Sequence, residues 1–353
     1  MIEPIPSTSD VGFRRGIHRN PRRRQGAGSI ALVEVDCDLG AGIPGAGSGI
    51  AKLRQAVHHQ HDLRRIRARA GEITTVCTSP HARHIHTLAG VIEAAAALVA
   101  GALDQGRFPI VLAGDHSTAA GTIAGIRRSA PHRRLGVVWI DAHADLHSPF
   151  TTPSGNMHGM PLAIAAGHDN RAHGINEPDA ATRESWDRCK ALAGEDPALR
   201  LEDLIYVGVR DIEAAEASTI EAHGIPIVST EEVRRSGPQR AARRCLEHLK
   251  AVDLIYVSFD VDSLDASICQ GTGTPSAGGL WAEEVMEIHR TLIADPRVCC
   301  WEICEINPHL DTLDSIIDLS LGVFQVVLDG LEARLDGGRG LPLGCPGAKA
   351  PWP

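Results

Sequence analysis

Short apolar runs of strand length alternate along the 353-residue chain with longer segments of helical period. The runs are Ile30 to Val35, Ile73 to Cys77, Ile110 to Leu112, Leu135 to Ile140, Leu204 to Val207, Ile225 to Val228, Leu254 to Phe259 and Val298 to Ile306. Between them, helices are expected over Ile85 to Leu103, Thr118 to Arg128, Ile212 to His223, Gln239 to Ala251, Ala282 to Ile293 and Thr312 to Leu331. Strand followed by helix, repeated, predicts an α/β fold whose central, mostly parallel sheet of about eight strands is covered on both faces. Burial on both faces explains why LIYVSF (254–259) and LGVVWI (135–140) do not alternate polar with apolar. The stretch from His168 to Leu201 is polar, with few apolar anchors, and reads as a long surface excursion. No repeat and no linker rich in Pro, Gly or Ser divides the middle, so one domain is expected over 29–335, between tails at 1–28 and 336–353.

Composition narrows the function classes. Lys and Arg number 35 against 44 Asp and Glu, a formal charge of −9, which argues against a nucleic-acid partner. With 43% hydrophobic and only 3% aromatic residues, the core has to be built from Ala, Val, Leu and Ile. The longest apolar run, Leu88 to Leu103, is broken by Glu93 and falls short of the roughly 20 residues that span a bilayer, so no membrane partner is expected. The Arg cluster in residues 1–28 lacks the apolar stretch of a secretory signal and reads as a disordered tail or an upstream start-site artefact. Nine cysteines without any CxxC pair, the tightest group being Cys299, Cys300 and Cys304, suggest reduced, buried thiols in a cytoplasmic protein; a thiolate metal site is the alternative.

In open α/β sheets ligands sit beyond the carboxyl ends of the strands, so the residues just after each apolar run carry the information. Three such places hold acids and imidazoles: Asp115 and His116 after Ile110 to Ala113, Asp141, His143 and Asp145 after Val137 to Ile140, and Asp260 and Asp262 after Ile255 to Phe259. Alternate residues at a strand end point the same way, so each of the last two groups aims its side chains at one side. An isolated Asp there is often a helix cap, but clustered buried carboxylates without a positive partner would each cost several kcal/mol. A cation is therefore expected among them. Four carboxylates (Asp141, Asp145, Asp260, Asp262) and two imidazoles (His116, His143), with no thiolate, form a hard set that suits Mn²⁺ better than structural zinc. Six ligands exceed the need of one ion, and two bridged ions can share one hydroxide as nucleophile.

The strings AGDHS (113–117), DAHADLHSPFTTPSGNMHGMP (141–161), VGVRD (207–211), SFDVDSLDAS (258–267), TGTP (272–275) and EINP (305–308) resemble, in order and spacing, the ureohydrolases, meaning arginases, agmatinases and their relatives. The SGNMHGMP segment looks more like arginase than agmatinase or formimidoylglutamase. The resemblance implies a three-layer α/β/α fold, usually a trimer or hexamer, that hydrolyses a guanidino compound to urea and an amine. It also implies that His116, Asp141, Asp145 and Asp260 hold one Mn²⁺ and that His143, Asp141, Asp260 and Asp262 hold the other, with Asp141 and Asp260 bridging. Glu305 matches the carboxylate that grips the guanidinium, and His158 matches the proton shuttle of arginases.

The chemistry is consistent with these roles. A guanidinium resists deprotonation and its resonance makes the central carbon a poor electrophile, so a fixed, activated water is needed. Asp145 can pass a proton to the leaving amine, and His158, with an ordinary value near 6.5, can relay one from bulk water. The arginase-like positions that read the substrate's amino-acid end are Thr152, Ser154 and Asn156, with Glu216 keeping an acidic position and Thr274 standing in TGTP. Two departures stand out: His147 occupies the place of a carboxylate-binding Asn, and Glu213 replaces an Asp. L-arginine is the expected substrate; agmatine, guanidino acids, guanidine and alkylguanidines stay open, as do Ni²⁺ as the metal, hydrolysis of a formimidoyl compound, and a noncatalytic subunit of the same fold.

Overall fold

The structure is a computed structural model that describes residues 30–56, 62–68, 79–313 and 315–336. The expected strand at Ile73 to Cys77 and the expected tails, Asp336 apart, lie outside the described residues. Eight strands form one sheet: β1 Ile30–Cys37, β2 Asp62–Ala68, β3 Phe108–Ala113, β4 Leu135–Ile140, β5 Leu204–Val207, β6 Ile227–Val228, β7 Leu254–Asp260 and β8 Val298–Cys304. Their order is β2-β1-β3-β8-β7-β4-β5-β6, and every pairing is parallel.

Ten α-helices complete the described chain: α1 Gly47–Ala56, α2 Ile85–Asp104, α3 Ala119–Ser129, α4 Pro161–Ala166, α5 Ala180–Lys190, α6 Ala214–His223, α7 Thr230–Ser236, α8 Pro238–His248, α9 Ala282–Ile293 and α10 Ile316–Asp336. They make two outer layers. On one face, Val111, Val137, Trp139, Tyr206 and Tyr256 pack with apolar residues of α2, α3, α4 and α5. On the other, Ile110, Val138, Ile140, Val257 and Phe259 pack with α1, α8, α9 and α10. The alternation hidden in LIYVSF is thus real: Leu254 and Tyr256 meet one helix layer and Ile255, Val257 and Phe259 the other. Helix α2 is long and apolar enough to cross a bilayer by length and composition, but Ile85, Leu88, Ile92 and Val99 are spent on this core.

Several boundaries differ from expectation for local reasons. The segment from His168 to Leu201 is no plain surface excursion: Asp179 accepts the Thr182 N–H at 2.7 Å and starts α5, which buries Trp186 and Cys189. Helix α10 begins at Ile316 rather than Thr312 because the Asp311 carboxylate captures the Leu313 and Ile316 N–H groups. The final strand stops at Cys304, since Glu305 turns to φ 62°. Between β7 and β8 the register slips: Ile255 pairs with Val298 but Tyr256 pairs with Cys300, leaving Cys299 as an extra residue. The consequence is that Glu302 lies opposite Ser258 and Cys304 opposite Asp260.

Candidate metal centre

Four neighbouring strands, β3, β8, β7 and β4, end side by side at the middle of the sheet, and the three acid and imidazole groups read from the sequence follow three of them. All six expected ligands meet there. His116 Nδ1 lies 3.0 Å from Asp141 Oδ2, 3.1 Å from Asp145 Oδ2 and 3.2 Å from Asp260 Oδ2. His143 Nδ1 lies 3.0 Å from Asp262 Oδ2 and 3.5 Å from Asp141 Oδ1, so Asp141 faces both imidazoles.

The two imidazoles are held differently. His116 is buried, stacks on Trp139 with ring centres 4.0 Å apart and planes 7° from parallel, and meets Ser258 Oγ with Nε2 at 2.7 Å. Its other nitrogen is thereby left facing the carboxylates, yet neither Nδ1 nor Asp141 Oδ2 makes a hydrogen bond. His143 is half-buried, and its Nε2 stands 3.8 Å from Asp211 Oδ2. Backbone N–H groups fix the acids: His143 donates to Asp141 at 2.7 Å, Asp262 to Asp260 at 2.8 Å and Ala142 to Asp262 at 3.1 Å. Asp145 adopts φ 52° and Glu305 φ 62°, left-handed conformations that cost a side-chain-bearing residue about 1–3 kcal/mol and that collect at functional sites.

Charge crowding and burial move the acids away from their ordinary values. Burial, and then the Asp141 carboxylate, push Asp145 up to about 7. Burial, followed by Asp262 and Asp141, lifts Asp260 well above the ordinary carboxylate range. Asp141 alone is lowered, because His116 and His143 outweigh its burial. Unpartnered buried atoms, an oxygen and imidazole donor set and mutually repelling acids are together what a divalent cation would relieve, so the residues present fit a metal centre.

A cleft of about 250 Å³ opens over this cluster. It is lined by His116, His143, Asp145, Asp260 and Asp262 and by every expected substrate contact except Glu305: His147, Thr152, Ser154, Asn156, Glu213, Glu216 and Thr274. His158 also lines it, with Nδ1 3.1 Å from Glu305 Oε1; Glu305 lies buried behind and accepts the His116 N–H at 3.0 Å. Some of these groups are already engaged. Thr274 donates to Asp262 at 2.9 Å, and both Glu216 oxygens accept backbone N–H groups, from Leu146 and from Glu213 at the start of α6. Thr152 and Ser154 accept the N–H groups of Gly155 and Asn156, and Arg83 donates to the side-chain amide oxygen of Asn156. His147 Nε2 lies 3.2 Å from Glu213 Oε2 and 3.5 Å from Glu216 Oε2.

Sequence reasoning passed over four contributors. Asp115 stands among the acids at the strand ends but outside the expected ligand set; it is buried, ties the Gly40 N–H to the Ser117 N–H, and is pushed up to about 6 by burial and then by Glu305. Arg210, inside VGVRD, donates to the carbonyls of Asp262, Leu264 and Ser276 and so pins the loop that carries Thr274. Ser258 lay inside a quoted motif, two residues before Asp260, a spacing that could have signalled its shared face. The donor set is also not free of sulfur: Cys304 Sγ lies 3.5 Å from Asp260 Oδ2, because the extra residue at Cys299 turns Cys304 towards the cluster.

Comparison with known proteins agrees with this geometry. Residues 28–322 match the Arginase family. The chain is 33% identical to the arginase of Bacillus caldovelox over 292 residues, which cover 80% of this chain and 92% of that one. Its fold is similar to that of Entamoeba histolytica arginase in complex with L-ornithine, with TM-score 0.74, 25% identity, and coverage of 85% of this chain and 98% of that one. The formimidoylglutamase of Bacillus subtilis shares the fold, at TM-score 0.66 and 20% identity, with 91% of this chain and 96% of that one covered. The chain belongs to the Arginase family and is a ureohydrolase, a hydrolase of carbon–nitrogen bonds in linear amidines.

Proposed function

We propose that this ureohydrolase converts L-arginine to L-ornithine and urea at a pair of Mn²⁺ ions. His116, Asp141, Asp145 and Asp260 would hold one ion, and His143, Asp141, Asp260 and Asp262 the other. When bound, the ions supply activation of the attacking water. The observation that carries the reading is the pairing of a buried anion with a cleft-lining base: Glu305 behind, His158 in front, 3.1 Å apart, beside the six-ligand cluster.

The chain's own groups would divide the work. Glu305 offers a carboxylate to a planar cation and orients it in the cleft. Asp145, which lines the cleft beside the other acids, can take up a proton and pass it to the departing amine. His158 can then replace that proton from solvent. At the far end of the cleft, Thr152, Ser154 and Asn156 supply hydroxyls and an amide for a carboxylate, and Glu213 supplies an anion for an ammonium.

One observation favours a second reading. The His147 ring stands against Glu213 and narrows the acidic end of the cleft, which suits a guanidino compound with a different tail, such as agmatine. A panel of guanidino compounds with Mn²⁺ and with Ni²⁺, scored by urea release, separates these. Preferred hydrolysis of L-arginine supports the proposal; preference for another guanidine, or release of formamide in place of urea, rejects it.

A further inference from the structure

The thiol at the end of β8 has a geometry of its own. Cys304 Sγ lies 3.5 Å from Asp260 Oδ2, and that same oxygen lies 3.2 Å from His116 Nδ1. The sulfur, a carboxylate oxygen of Asp260 and a ring nitrogen of His116 all lie within 4.8 Å of one another, and all three residues are buried. His116 Nδ1 makes no hydrogen bond. A tetrahedral ion bound at about 2.3 Å to sulfur and about 2.0–2.1 Å to oxygen and nitrogen sets a sulfur–oxygen edge of about 3.5 Å and a nitrogen–oxygen edge of about 3.3 Å. The two edges observed here agree with that figure, and the third, sulfur to nitrogen, is within 4.8 Å. Among the described residues, Cys304 is the one cysteine grouped in this way with an imidazole and a carboxylate.

We propose that Cys304, His116 and Asp260 form a binding site for a soft, thiophilic divalent ion such as zinc or cadmium, and that its occupation competes with the Mn²⁺ centre. Thiolates select soft ions whereas carboxylates and water suit Mn²⁺, so the three residues discriminate by the sulfur they contain. Competition follows because His116 and Asp260 belong to both sites; this part rests on the reading of the metal centre given above. As the metal–sulfur bond forms, the thiol proton passes to solvent, and no electron changes hands.

The test uses the full chain stripped of metal and titrated with Cd²⁺, followed by the ultraviolet sulfur-to-cadmium charge-transfer band. The band is expected in the wild type and lost in Cys304→Ser, which nearly preserves the side-chain volume, and in Cys304→Ala. In Mn²⁺-loaded wild type, Cd²⁺ should release free Mn²⁺, read by electron paramagnetic resonance. No band in the wild type, or a band undiminished in both variants, overturns the site; a full band with Mn²⁺ retained overturns the competition. Urea release by Mn²⁺-loaded wild type reads the hydrolase assignment separately: a chain that shows the band and releases no urea keeps the thiolate site and loses the arginine reading.

Discussion

His158 Nδ1 stands 3.1 Å from Glu305 Oε1, and the same oxygen accepts the backbone N–H of His116 at 3.0 Å. Burial pulls the His158 imidazole down, but the Glu305 carboxylate more than compensates and lifts it to about 9. A raised imidazole stabilises the fold fully below its unfolded value near 6.5 and loses that contribution as pH rises through about 9. The metal-free protein should therefore lose on the order of a few kcal/mol across that window. Thermal unfolding against pH checks this, and His158→Asn should flatten the curve there; an equal slope in the variant would reject the pair as its source.

Asp260 faces His116 and shares its surroundings with Asp141 and Asp262, whose repulsion adds to burial in raising its carboxyl. Asp260→Asn removes one ionisable group from a crowded set without changing shape. The metal-free variant should melt at the wild-type temperature or higher, while Mn²⁺ affinity falls by about a hundredfold or more and urea release is lost. Calorimetric Mn²⁺ titration and thermal unfolding read the two effects apart. Full turnover in this variant would remove the metal assignment.

His147 fills the end of the cleft, with Nδ1 3.1 Å from Thr151 Oγ1 and Nε2 3.2 Å from Glu213 Oε2. His147→Asn would release Glu213 and offer a smaller side chain that both donates and accepts. The value of kcat/KM for L-arginine should rise by about tenfold, the worth of one well-placed hydrogen bond near 1.4 kcal/mol. A steady-state comparison of L-arginine with agmatine decides it; an unchanged ratio would shift the substrate to another guanidine.

Gly155 sits in the SGNMHG segment at φ 75°, and a Cβ there would lie 1.9 Å from the Pro80 carbonyl oxygen. Its own carbonyl accepts the Arg83 N–H at 2.7 Å, so the loop cannot simply move away. Gly155→Ala should cost roughly 3 kcal/mol or more, seen as a lower denaturant midpoint, and should displace Asn156 and His158 from the cleft.

The parts of this molecule that the chain's pattern revealed share one physical property: strong one-dimensional contrast. Val137 to Ile140 and Ile255 to Phe259 are continuous apolar runs that stop abruptly at acids, so strand, strand end and ligands were legible together. Strand β2, reading DLRRIRA, was not, because an edge strand has a partner on one side only and tolerates charge; Arg65 there lies 3.2 Å from Glu34 of β1. Helix α5 was hidden because it buries little besides Thr182, Trp186 and Cys189. Thr274 and Glu216 were legible as acidic or polar positions, but their commitment to Asp262 and to backbone N–H groups depends on loops that meet only in the folded chain.

The additional backbone unit at Cys299 carries a broader implication. Because Val298 already pairs with Ile255 and Cys300 with Tyr256, deleting Cys299 would only regularise the ladder; straightening the strand with Cys299 kept, so that it met Tyr256, would instead exchange the two sides, presenting Trp301 and Ile303 to Asp260's surroundings and sending Glu302 and Cys304 among the aliphatic groups behind. Whether this wall of the cage carries sulfur or an indole is thus decided by how one backbone unit is paired, with no side chain exchanged.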